Sequence, residues 1–127
     1  MAILLVFIGG GIGSVLRFLM NELFAKILTP GESALAHSTL AVNVIGSFSA
    51  GILLFLSINH MDFSDAKRLF FMVGICGGFT TFSGVSVELF KMLQNGDTLK
   101  AFCYICVSVI VSLAVTAVGF FSVKTFV

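Results

Sequence analysis

Charged side chains are scarce in this sequence. They make up 10% of its residues, where a typical globular protein carries about 25%. A water-facing surface cannot be built from so few, which excludes an ordinary soluble domain. The net charge of +1 leaves no basic field with which to hold nucleic acid. Catalytic groupings are missing as well. No P-loop, H-E-x-x-H or G-x-S-x-G motif occurs, and His37 and His60 stand far from any acidic pair. Apart from Glu22, the acid within a hydrophobic stretch is Glu88. An enzyme is not expected. Cysteine is also sparse. Cys103 and Cys106 have C-x-x-C spacing, but no second pair or nearby His completes a zinc or redox site. With Cys76 they read as small packing residues in apolar surroundings.

What the chain does have is hydrophobicity, at 58% of residues, gathered in runs without charge: 1–16, 33–61, 69–87 and 101–123. About 20 apolar residues cross the hydrocarbon core as a helix, and lipid leaves unpaired backbone groups no partner, so such spans must be helical. The reading is a single all-α integral membrane domain over 1–127, with helices at about 2–26, 39–58, 67–94 and 99–123. The first run lacks a basic n-region, and its apolar part runs on past any A-x-A-like site into a glycine-rich segment, so it is read as a retained helix rather than a signal peptide. The single proline, Pro30, marks the first loop together with Thr29, Gly31 and Glu32. Residues 59–65 form the second, with Ser64 or Asp65 as the helix cap. Asn95, Gly96 and Asp97 make a tight third turn. Loops this short make successive helices antiparallel neighbours.

Basic residues are almost evenly divided between the two membrane faces. Lys67, Arg68 and Lys124 fall on the side of the termini; Arg17, Lys26, Lys91 and Lys100 fall on the other. Lysine and arginine asymmetry sets orientation, so two outcomes are open. Either a small bias fixes the topology, or the chain inserts both ways and pairs with its inverted copy. Four helices enclose little space, so a hydrophilic path would need walls from a second chain. Small residues four apart, Gly9 with Gly13 and Ser47 with Gly51, provide packing seams for such contacts.

Residues 74–88 read GICGGFTTFSGVSVE. Adjacent Gly77 and Gly78 followed by Thr80, Thr81, Ser83, Gly84 and Ser86 hold a straight helix poorly. Two readings stand. The segment is either a glycine hinge whose hydroxyls bond back to carbonyls one turn earlier, or a break of the kind that binds ions in mid-membrane. In the last span Tyr104, Ser108, Ser112 and Thr116 recur at i, i+4 spacing and share one face. Arg17, in the second half of the first span, either snorkels to the interface or draws anions to a vestibule. Glu88 lies about a turn from Lys91, so an ion pair near the membrane edge is the simpler reading for it.

The run CGGFTTFS…SVE, with GGGIGSVLRF in the first span and LAVNVIGSF in the second, resembles the Fluc-type fluoride channels, the CrcB family. The resemblance covers essentially the whole chain. It implies an antiparallel dual-topology homodimer whose third helices are broken near the middle and cross at the centre. A structural sodium ion would be held there by main-chain carbonyls of Gly77 and Thr80. It implies two fluoride pathways per dimer in a bacterial inner membrane, giving passive export that protects the cell. Along them would lie Asn43, Phe82 with its electropositive ring edge, Ser83, and the Tyr104, Ser108, Ser112 and Thr116 stripe. Arg17 and Glu88 would be vestibule or structural charges.

One departure stands out: the family usually reads TFSTFS, and this chain reads TFSGVS from Thr81, with Gly84 and Val85 in place of Thr and Phe. If each pathway takes one ring from each chain, every pathway has lost one. The main alternative is a small multidrug-resistance-type proton-coupled antiporter. That chemistry wants a deep carboxylate and Trp-containing walls, whereas this chain has no Trp and one Tyr. A non-transporting membrane subunit is the third class.

Overall fold

A computed structural model describes residues 1–28, 32–59 and 63–126. The loop residues Thr29, Pro30 and Gly31, and His60, lie outside the described residues. Four helical spans are long and apolar enough to cross a membrane. The first helix runs Ala2–Ile27, the second Glu32–Asn59, and the last Thr98–Phe126. The third span is composite. A first turn, Asp65–Lys67, leads into a nine-residue π-helical stretch, Arg68–Cys76. It closes with the turn Gly77–Phe79. After two extended residues comes the distal arm, Phe82–Gln94; residues 65–79 are called the proximal arm below.

The second helix begins at Glu32, seven residues before the expected boundary at 39, and Glu32 is helical rather than part of the loop. The added turns pack inward, with Ala34, Ala36 and Ser38 all buried. The Ser64 hydroxyl accepts from the Lys67 N–H at 3.4 Å and caps the third span. The turn at 95–97 places Gly96 at φ +81°, which favours glycine because a side chain is strained there.

Packing follows the inside-out logic of a bilayer. The large apolar side chains of the first and last helices point outward, among them Phe7, Phe18, Phe102 and Leu113. The inward faces are small. The first helix lies on the proximal arm so closely that a Cβ at Gly13 would collide with the Ile75 carbonyl oxygen. The second and last helices meet at Gly51, where a Cβ would collide with the Thr116 carbonyl oxygen. Close backbone approach of this kind replaces the hydrophobic drive that lipid does not supply. Away from these seams Ala36, Met92 and Ala101 form a buried cluster, with Leu89 and Tyr104 against it.

Candidate functional site

Helical bonding ends at Phe79 because Thr80 and Thr81 are extended, with φ/ψ of −77°/158° and −152°/117°. The sequence prepares this. Gly77 and Gly78 weaken the helix before it, and Thr81 is a strong N-cap type. Its hydroxyl accepts from the Gly84 N–H at 2.9 Å, so the distal arm restarts on its own cap. The Thr80 hydroxyl donates to the Cys76 carbonyl at 2.9 Å, the back-bonding anticipated for a hinge. The close approach of Gly78 to Gly10 is the packing that a hinge would show.

Every main-chain polar group of the two extended residues has a partner within the chain. The Thr80 N–H donates to the Cys76 carbonyl at 3.0 Å. Arg17 Nη1 donates to the Thr80 carbonyl at 3.1 Å. The Thr81 N–H donates to Asn43 Oδ1 at 2.8 Å, and Asn43 Nδ2 donates to the Thr81 carbonyl at 3.0 Å. Arg17 therefore points inward onto the backbone rather than snorkelling outward. The Arg17 and Asn43 pairings were not legible beforehand, because their partners lie 38 to 63 residues away in sequence.

Two cavities meet at Thr81. The larger, of about 570 Å³, is a groove along the third and last spans; Asn43, Gly77, Thr80, Phe82, Ser108, Ser112 and Thr116 all line it. It is open on one side, and Phe82 is 72% exposed there. The Ser108 hydroxyl is buried on its wall and has no hydrogen-bond partner among the described residues. The Thr116 hydroxyl donates to the Ser112 carbonyl at 2.8 Å, one turn back. The second cavity, of about 380 Å³, is lined by Arg17, Asn21, Thr39, Ser83, Glu88 and Lys91 beside Thr81. There Ser38 Oγ donates to Asn21 Oδ1 at 2.6 Å, and the hydroxyls of Thr81 and Ser83 are 3.0 Å apart.

The structure thus gathers most of the expected residues and separates the rest. Tyr104 leaves the stripe: it faces a different cavity, near His37 and Lys100, and its hydroxyl donates to the Ala36 carbonyl at 3.2 Å. Ser83 and Glu88 sit in the smaller cavity, not the groove. Glu88 is buried and accepts from Lys91 Nζ at 3.0 Å, the pairing their spacing suggested. The departures at 84 and 85 are packed positions. Val85 is 2% exposed, and a Cβ at Gly84 would sit 2.8 Å from the Thr81 methyl. Asn21 and Thr39 were not singled out from the sequence. Their types carry no signal on their own, and only helix packing brings them to Thr81.

Comparison with known proteins places the chain in a family. One family model, described as CrcB-like protein, Camphor Resistance (CrcB), matches residues 4–120. A protein of Azobacteroides pseudotrichonymphae genomovar. CFP2 named fluoride-specific ion channel FluC is 40% identical over 124 residues, 98% of this chain and 97% of its own length. A protein of the same name from Gloeothece citriformis is 42% identical over 126 residues, covering 96% of each chain. Another from Leptospira interrogans serovar copenhageni is 37% identical over 125 residues, 98% of this chain and 96% of its own. Matched over nearly all of its length, the chain belongs to the CrcB family.

Proposed function

We propose that this chain is a passive, fluoride-selective channel of a bacterial inner membrane, exporting fluoride as an antiparallel dual-topology homodimer with two pathways. The observation that carries the reading is the groove beside Thr80 and Thr81. It combines Phe82, Ser108, Ser112 and Thr116 on one surface that a single chain leaves open. A second copy would close it. The names of the relatives above supply the ion.

The chemistry suits a small, strongly hydrated anion. A phenylalanine ring edge carries the positive end of its quadrupole. Hydroxyls spaced along a path exchange for water one at a time, so the ion is neither stripped bare nor trapped. The unpartnered Ser108 hydroxyl is a donor in reserve. An interrupted span is tolerated in a bilayer where it is buried in protein or lines a cavity, and this one does line the groove.

A sodium ion at the dimer centre fits the donors present. The Thr81 N–H, which would bond the Gly77 carbonyl in an unbroken helix, goes to Asn43 instead. That leaves the Gly77 carbonyl available. The Thr80 carbonyl accepts from Arg17 and keeps a second lone pair. Neutral carbonyls from two chains suit a monovalent ion, which would join the crossing third spans and neither be transported nor react. The antiporter alternative is weaker here, because its chemistry needs a carboxylate that is free to exchange protons with substrate, and Glu88 is paired with Lys91.

The test is efflux from liposomes holding the purified protein. Fluoride should leave, as read by a fluoride electrode, while chloride stays inside. Equal loss of both anions, or retention of both, rejects the reading.

A further inference from the structure

We propose that the pocket between the second and last helices binds an anionic phospholipid, with its phosphate at Lys100 and one acyl chain in the cavity. The cavity, of about 270 Å³, is walled by Ala36, Leu40, Met92 and Val107, with His37 and Lys100 also in its lining. Among the described residues that lining holds basic side chains and no acidic one. Lys100 is exposed and forms no ion pair among the described residues. The Tyr104 hydroxyl is turned to the Ala36 carbonyl, so its ring adds to the apolar wall.

Placement in the membrane decides the occupant. Lys100 is the third residue of the last helix, Thr98–Phe126, at the edge of a span apolar enough to cross a bilayer. Val107 lies about 10 Å further along the axis, so the cavity runs from a charged rim toward the hydrocarbon. A phospholipid has its parts in the same order, phosphate outside and chain inside. Water gains nothing in an apolar cavity, whereas an acyl chain restores the packing contacts that an empty wall forgoes. Basic pockets between membrane helices attract anionic headgroups. The pocket also opens away from the groove. At 3.6 residues per turn, Lys100, Cys103 and Val107 lie about 120–180° round the helix from Val109, which lines the groove. A second copy seated on the groove would leave this pocket facing lipid; only that step rests on the paired arrangement proposed above.

The experiment is native mass spectrometry of the full-length protein in detergent, titrated with phosphatidylglycerol or with phosphatidylcholine of the same chains. Wild type should hold phosphatidylglycerol about fivefold more tightly, the weight of one lysine beside an anionic group. Lys100→Gln should remove that preference and leave phosphatidylcholine binding unchanged, whereas Lys100→Arg should keep it. Val107→Phe, which fills the cavity, should weaken both lipids. Lys124→Gln, at an exposed lysine near the other end of the same helix, should change neither. Equal binding of the two lipids by wild type overturns the proposal. So does a preference that survives in Lys100→Gln, an equal loss in Lys124→Gln, or wild-type binding of both lipids by Val107→Phe. Lys100 is exposed, so its glutamine variant carries the test if the phenylalanine variant does not fold. Lipid retention is read without any ion flux, so failure of the channel reading and failure of this one are separate results.

Discussion

The guanidinium of Arg17 donates to the carbonyl oxygen of Thr80 across 3.1 Å, tying the first helix to the interruption of the third span. A charge-assisted bond of this kind contributes about 1.5–3 kcal/mol. Arg17→Met should therefore lower the thermal unfolding midpoint in detergent by an amount corresponding to that range. Arg17→Lys should recover little, because an ammonium lacks the planar fork and reach of a guanidinium. A methionine variant as stable as wild type would show that the bond holds nothing in place.

Gly13 and Gly11 are two residues apart on the same helix and face different surroundings. A Cβ at Gly13 would collide with the Ile75 carbonyl, whereas one at Gly11 meets nothing within 4 Å. Gly13→Ala should cost about 1–3 kcal/mol or more, the scale of overpacking against backbone that cannot move aside. Gly11→Ala should leave the unfolding midpoint of the isolated chain unchanged. Equal effects at the two sites would contradict the close packing of the first helix on the proximal arm.

Ser108 separates stability from transport. Its hydroxyl is buried and unpartnered among the described residues, and a buried hydroxyl without a partner costs about 1–3 kcal/mol. Ser108→Ala should be as stable as wild type or more so, yet carry less fluoride. Measured together, a melting curve and a liposome flux assay would reveal this. A variant that conducts normally would remove Ser108 from the pathway.

Glu88 and Lys91 should behave as a unit. The Glu88 side chain is 7% exposed and that of Lys91 is 37% exposed. Removing the lysine strands a carboxylate in a poorly solvated place, whereas removing both charges does not. Lys91→Met should thus destabilise more than the double variant Lys91→Met with Glu88→Gln. Chemical denaturation of the three proteins gives the order, and a double variant that is the least stable would refute it.

Much of the architecture was legible because the bilayer imposes it. Long uncharged runs had to be helices, and Ser64 and the 95–97 turn marked ends through their side-chain chemistry. The start of the second helix was misjudged because Glu32 follows Pro30 and Gly31, and only the burial of Ala34, Ala36 and Ser38 accompanies the added turns. The i, i+4 stripe on the last span was correct as a face, but a face of 29 residues passes more than one neighbour. Tyr104 therefore lines a different cavity and bonds Ala36.

The sequence alone determined that the chain crosses a membrane four times, where polar residues collect, and which family it resembles. Local composition controls those properties, since transfer into lipid is judged stretch by stretch. Only the tertiary structure decided what the polar residues do. Asn43 and Arg17 could each have faced an ion, lipid or water. Helix packing brought them to the main chain of Thr81 and Thr80, where the interrupted helix leaves backbone groups in need of partners.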